Sequence, residues 1–409
     1  MALLGTISRG AAQNAKPVLT TLYNFRGSDG SSPIGSVVIG RRGVIYGATF
    51  EGGTSTACGQ GCGTVFSLTP PAAGGAWAET VIHDFALGSG DGAIPSGGVA
   101  MGGEGAIYGT ARVGGASGDG IVFSLTLAAG TPGDPWTETI LHSFTGGPGG
   151  SIPAGPLIDS RGVLYGITTA GGSFGSGTVF SLAPDAGGAW NETPIYSFAG
   201  STGLLSAIGP RGALYGAGET GGTGSACYGG CGTVFSLTPP AAPGDAWTES
   251  VLYNFAGPDG ASPAQVAIGR DGVLFGIATE GGEYLCCGTV FSLIPPASPG
   301  SSWTEHTLHD YPKLGNGELT YTPSSLVVSP RSGVLYGTTV FGGFWGDGTV
   351  FSLTPPESPG GAWTYTVLHE FNSSDGAGAC CLAEADGVLY GATQFGGASD
   401  RGTVFSLRP

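Results

Sequence analysis

Basic residues are scarce in this chain: lysine occurs only at Lys16 and Lys313, and 13 Lys and Arg stand against 29 Asp and Glu. The resulting formal charge of −16 argues against a nucleic-acid partner, because phosphate recognition needs clustered cations. Anionic membrane surfaces are disfavoured for the same reason. No apolar run reaches the roughly 18 residues of a spanning helix, so no membrane span is expected. G-x-S-x-G, H-E-x-x-H, the P-loop and the dinucleotide fingerprint are all missing, so no motif assigns a reaction and no cofactor is expected. With only 5 histidines, acid–base chemistry would have to draw on loop carboxylates, tyrosines or paired cysteines.

What is abundant is glycine, at 82 residues, with 28 prolines. Without a period such a share reads as low complexity. Here a period exists. GTVFSL stands at Gly63 to Leu68 and returns from Gly120 (as GIVFSL), Gly177, Gly232, Gly288, Gly348 and Gly402. One supersecondary unit has been written seven times.

Aligned on that string, each unit reads as an apolar strand, a VLYG-type strand, a Gly-Gly loop, GTVFSL, a Pro-rich connection and a W-x-E-T-x-L-H-x-F strand. Tyr46, Tyr108, Tyr165, Tyr215, Phe275, Tyr336 and Tyr390 mark the second strand at spacings of 62, 57, 50, 60, 61 and 54 residues. Four strands at such a period are the inventory of a propeller blade. Six fourth strands open at Trp77, Trp136, Trp190, Trp247, Trp303 and Trp363; the seventh stands at the other end of the chain, as PVLTTLYNF from Pro17 to Phe25. Pairing of that N-terminal strand into the last unit would close the ring, which an open solenoid does not require. The expected fold is all-β, a seven-bladed β-propeller of four-stranded blades. It forms one domain over 17–409, with 1–16 as a tail or signal remnant.

VLYGTT, the Gly-Gly loops, GTVFSLTPP and W-x-E-T-V-L-H-x-F together resemble the GloVer-type tandem repeat of bacterial surface and secreted proteins, over nearly the whole chain from Pro17. The resemblance implies export, whether secreted, surface-bound or periplasmic. It implies no reaction, since the family shares its repeat and not a chemistry.

The cysteines support export. Cys58 and Cys62 flank the loop before the first GTVFSL, and Cys227 and Cys231 do so before the fourth. No histidine falls nearby to complete a zinc set, so local disulfides are the better reading. Cys286-Cys287 reads as the same staple with its loop deleted. Cys380-Cys381 has no counterpart. Adjacent residues are closer than the usual disulfide span, so a rigid vicinal bridge competes with free buried thiols and with a redox or copper role.

Loops joining second to third strands, and fourth strands to the next blade, open on one face. Asp29, Asp91, Asp259 and Asp375 stand there in D-G-x-x-P-like turns; such aspartates usually cap their own turn, with Ca2+ as the alternative. Glu51, Asp119, Glu219, Glu280, Glu283, Asp347 and Asp400 make this face acidic. Arg41, Arg42, Arg161, Arg211, Arg270 and Arg331 make the opposite one relatively basic. On the outer strands, Glu79, Glu138, Glu192, Glu249 and Glu305 read as edge charges against aggregation. His83, His142, His309 and His369 share a position with Tyr23, Tyr196 and Tyr253, an exchange that suits packing better than metal ligation.

Aromatics outside the repeat pattern point to a ligand. Phe344 and Trp345 lead, Trp345 being the one tryptophan outside a fourth-strand start, and Phe174, Tyr228 and Tyr284 occupy comparable loops. Sugar rings or a protein surface suit such side chains. The expected function is a secreted binding or scaffold module that recognises a glycan or an extracellular protein through the acidic loop face. A glycan hydrolase or lyase with carboxylates at the channel mouth, and an extracellular structural protein self-assembling through propeller faces, are the alternatives; a monomer and a homo-oligomer both remain open.

Overall fold

Each GTVFSL run forms the third strand of a four-stranded antiparallel sheet, paired along both edges, and in the first blade Thr64 to Leu68 are all buried, so both faces are covered. In the first blade the strands are Ser31–Ile39, Ile45–Glu51, Thr64–Thr69 and Ala78–Asp84, paired in that order from the axis outward. The computed structural model describes residues 16–409 apart from 73, 88–89, 129–134, 201, 243–244, 284, 299–300, 314–320 and 359. Those residues form seven such sheets and no α-helix. Blades 2 to 6 span 92–143, 151–197, 203–254, 261–310 and 323–370.

Blade 7 takes three strands from 377–408 and its outer strand from Val18–Asn24, which pairs antiparallel from Val18↔Arg408 to Asn24↔Thr403. The inner strand of blade 1 touches the inner strands of both blade 2 and blade 7. The protein is a closed seven-bladed β-propeller, and the chain closes it by joining its two ends, as the sequence predicts.

The recurring residues are those that join strands and blades. The glycine after each second-strand aromatic lies opposite the Phe of GTVFSL, as in Gly47↔Phe66, and a Cβ at Gly47 would stand 2.5 Å from the Phe66 ring. In five of the seven blades the glycine that opens this strand meets the next blade's proline: a Cβ on Gly402 would stand 2.7 Å from Pro33 Cδ. The P of D-G-x-x-P and the G of GTVFSL are thus two halves of one close approach. Across each junction the last aromatic of an outer strand packs near edge-on against the next blade's GTVFSL phenylalanine, from Phe25 on Phe66 at 5.1 Å to Phe371 on Phe405 at 5.2 Å. Four second-strand rings meet the next blade's tryptophan at a similar range, as Tyr46 meets Trp136 at 6.0 Å. Such pairs add roughly 0.5–1.5 kcal/mol each beyond the area they bury.

Candidate functional site

The outer strands do more than close the sheet edges. Register places His83, His142, Tyr196, Tyr253, His309, His369 and Tyr23 opposite the Val of their GTVFSL partners. Glu79, Glu138, Glu192, Glu249 and Glu305 stand opposite its Leu. In four of the seven the polar tip reaches the turn aspartate that leads into the next blade. Tyr23 Oη donates to Asp29 Oδ2 at 2.6 Å, and Tyr253 Oη donates to Asp259 Oδ2 at 2.6 Å. His369 Nε2 stands 3.0 Å from Asp375 Oδ2, and His83 Nε2 stands 3.4 Å from Asp91 Oδ1. Histidine and tyrosine exchange here because both present a polar atom at the same reach.

The next blade's glutamate leans into the same junction. Glu79, Glu138, Glu192 and Glu305 are half-buried, and the first three each hold one carboxylate oxygen sealed from water without a hydrogen-bond partner. The edge-charge expectation is therefore corrected for these four, since the neighbouring blade covers them; Glu249 alone is exposed. Burial pushes the carboxyls of Glu79, Glu138, Glu192 and Glu305 up to about 7.

At the junction of blades 1 and 2 all three groups coincide. Besides Asp91, His83 Nε2 lies 3.7 Å from Glu138 Oε1, and the ligating atoms of His83, Asp91 and Glu138 all fall within 4.8 Å of one another. Burial opposes the imidazolium, but the Asp91 hydrogen bond and the charges of Glu138 and Asp91 outweigh it and raise the His83 pKa. Burial likewise opposes ionisation of Asp91, yet bonds from His83 and from the Ala86 and Gly92 amides hold its carboxyl below the usual range. Asp91 and Glu138, with Gly90 and Ile140, line an open depression of 420 Å³.

The four aspartates considered for calcium do not converge, because each serves a different junction. Asp29, Asp259 and Asp375 also accept the backbone amides of Arg26, Ala256 and Asn372, so they cap their own turns. The loop aromatics are brought to one face. Phe174 is 65% exposed, Tyr228 fully exposed, Phe344 78% and Trp345 63%, and Leu285 and Phe395 join them in blades 5 and 7. Five consecutive blades, 3 to 7, thus each present an apolar side chain from the loop between second and third strands or, for Phe395, from the end of the second strand that leads into it. Tyr284 lies outside the described residues. Phe344 and Trp345 pack edge-on at 5.0 Å, which holds the two rings against each other.

All eight cysteines are bonded, as Cys58–Cys62, Cys227–Cys231, Cys286–Cys287 and Cys380–Cys381. The first three staple equivalent loops beside the apolar arc. Cys380–Cys381 is buried at a register break in the inner strand of blade 7, where the sibling strands of blades 1 to 3 use glycine. On the opposite face the arginines do more than solvate hairpins. Arg270 donates to the carbonyls of Pro330 and Arg331 at 3.0 and 2.8 Å, and Arg331 reaches Asp386 at 3.0 Å, linking blades 5, 6 and 7.

With this geometry in place, the sequence profile of the Gloeobacter/Verrucomicrobia repeat matches residues 4–226 and again 205–409. The chain belongs to this family. No curated protein matches the repeat protein in sequence. Among solved structures it is similar to the Pseudomonas aeruginosa periplasmic gluconolactonase PpgL, with a TM-score of 0.55, 12% identity and coverage of 89% of this chain and 96% of that one. It is also similar to the polysaccharide lyase Uly1, at 0.54, 10% identity and coverage of 98% and 94%. PorZ, a surface component of the type-IX secretion system of Porphyromonas gingivalis, matches at 0.56 and 14% identity, covering 95% of the repeat protein but only 48% of PorZ. At these identities the likeness shows the shared propeller fold alone. No described helix is long and apolar enough to cross a membrane.

Proposed function

We propose that this repeat protein is an exported binding module that holds a glycan on its loop face. The observation that carries the reading is the arc of Phe174, Tyr228, Leu285, Phe344, Trp345 and Phe395, one exposed apolar position or more per blade over five consecutive blades. Exposing such side chains to water is unfavourable, and the blades that share their repeat do not need them for packing. The side chains are spread among glycines and acids such as Glu219, Glu280 and Glu283 rather than gathered into one patch. That suits a chain of sugars, whose C–H faces stack on isolated rings while hydroxyls donate to neighbouring carboxylates. Two propellers of the same fold are by name a gluconolactonase and a polysaccharide lyase, which fits a carbohydrate ligand. Four disulfides and the periplasmic and surface settings of PpgL and PorZ favour export.

The hydrolase or lyase alternative draws on Asp91 and Glu138, two carboxylates whose pKa values are pushed apart beside a depression. They stand between outer strands, away from the channel mouth where that mechanism is expected. A glycan array probed with the native chain and with Trp345→Ala tests the reading. Selective binding that the variant loses supports it, and an array with no retained glycan refutes it. Size by light scattering at high concentration tests assembly through the faces.

A further inference from the structure

The seven blade junctions are seven versions of one arrangement, and they serve as controls for one another. Blade 7 to 1 offers Tyr23, Asp29 and Glu79; blade 4 to 5 offers Tyr253, Asp259 and Glu305. Blade 2 to 3 has His142 and Glu192 but only glycines and Pro148 in the turn at 146–150, and blade 3 to 4 has Tyr196. At blade 5 to 6, Tyr365 takes the glutamate position and stacks on His309 at 3.8 Å. Blade 6 to 7 has His369 and Asp375, but Leu19 of the N-terminal strand stands where the glutamate would. Among the described residues, only blade 1 to 2 unites a histidine with both carboxylates.

We infer that His83, Asp91 and Glu138 form a binding site for a single divalent transition metal, of which zinc suits the donors best. Imidazole nitrogen and carboxylate oxygen are both zinc ligands, and three protein ligands leave a fourth position for water. Ligand atoms at tetrahedral corners about 2.0–2.1 Å from zinc lie roughly 3.3–3.5 Å apart. The observed separations from His83 Nε2 are 3.4 Å to Asp91 and 3.7 Å to Glu138, and all three ligand atoms lie within 4.8 Å of one another, so an inward movement of the two carboxylates would complete the set. Its Oε1 is sealed from water and has no hydrogen bond to give up. The set is also supported from behind. Asp91 accepts the Ala86 amide at 2.8 Å and the Gly92 amide at 2.6 Å, and Phe85 holds the His83 ring edge-on at 4.4 Å. The depression beside Gly90 and Ile140 gives the ion a path and leaves its fourth position open. Bound there, the ion clips the outer strand of blade 1 to that of blade 2.

The sibling junctions supply the test. His83→Tyr copies blades 7 and 4, so it keeps a hydrogen-bonding atom for Asp91 while removing the imidazole ligand. Tyr253→His builds the missing ligand beside Asp259 and Glu305. Titration calorimetry with zinc chloride, repeated with Co2+ to follow its visible absorption, reads the stoichiometry, and circular dichroism without metal confirms that each variant is folded. The expected stoichiometry is one equivalent for the native chain, none for His83→Tyr and two for Tyr253→His, with tetrahedral cobalt bands wherever metal binds. A native chain that takes no zinc below millimolar concentration overturns the inference. So does a His83→Tyr chain that still takes one equivalent, or a Tyr253→His chain that gains none.

Discussion

His83 and Tyr253 hold one register position in two different blades, opposite Val65 and Val234, and each turns its polar tip to the aspartate that opens the next blade. That aspartate works on two elements at once, since Asp259 also accepts the Ala256 amide at 2.8 Å. Asp259→Ala removes both bonds to a charged, partly covered acceptor. The expected loss is about 2 kcal/mol in chemical denaturation, and Tyr253→Phe should lose less because the turn cap survives. Equal stability of Asp259→Ala and the native chain would show that the junction draws nothing from this contact.

The covered glutamates make stability depend on pH. A carboxyl raised to about 7 in the fold and near 4.5 when unfolded stabilises the fold while both forms are protonated, and that contribution is lost as pH rises through 7. Around Glu192 the cause is burial alone. Around Glu305 burial comes first, the Thr307 hydroxyl bond opposes it, and Asp259 adds repulsion. Glu192→Gln and Glu305→Gln should therefore raise Tm by a few degrees at pH 8.5 and change it little at pH 5. His309, which burial lowers to about 4, contributes with the opposite sign, losing stability as pH falls below its unfolded value of 6.5. The variants must thus be compared with the native chain at each pH.

Gly276→Ala tests the packing rule of the repeat. Its added Cβ would enter the Phe291 ring and approach the Gln265 carbonyl to 2.7 Å. A cost of about 3 kcal/mol or failure to fold is expected from this overpacking. Full retention of stability would mean that the ring and the inner strand have room to shift.

Intact mass with alkylation reads the cysteines. No label before reduction and eight labels after it are expected, since all 8 cysteines are bonded. Eight labels without reductant would remove both the bridges and the argument for export.

The fold was legible because the interactions that build it recur: Gly47, Phe66 and Pro33 belong to strings that appear again in other blades, so their period reports their role. The ring closure was legible too, because PVLTTLYNF matches the outer strand it replaces. The junction was visible only in parts. The turn aspartate, the His/Tyr position and the W-x-E glutamate each stood out, yet His83 and Glu138 lie 55 residues apart and meet across two blades. Their joint geometry depends on blade twist and on how deeply the neighbour covers Glu138, and neither is written in the local pattern. The loop aromatics were legible as departures from the repeat. Their exposure was not, since a glycine-rich loop can equally fold its ring onto its own blade.

The glycan reading is tested most directly by titration calorimetry of the best array ligand against four chains: native, Tyr228→Ala, Trp345→Ala and, on the opposite face, Arg211→Ala. Loss of one stacked ring should weaken affinity about tenfold, while Arg211→Ala should bind as the native chain does. Unchanged affinity in both ring variants, or a loss confined to Arg211→Ala, would contradict a ligand held on the loop face.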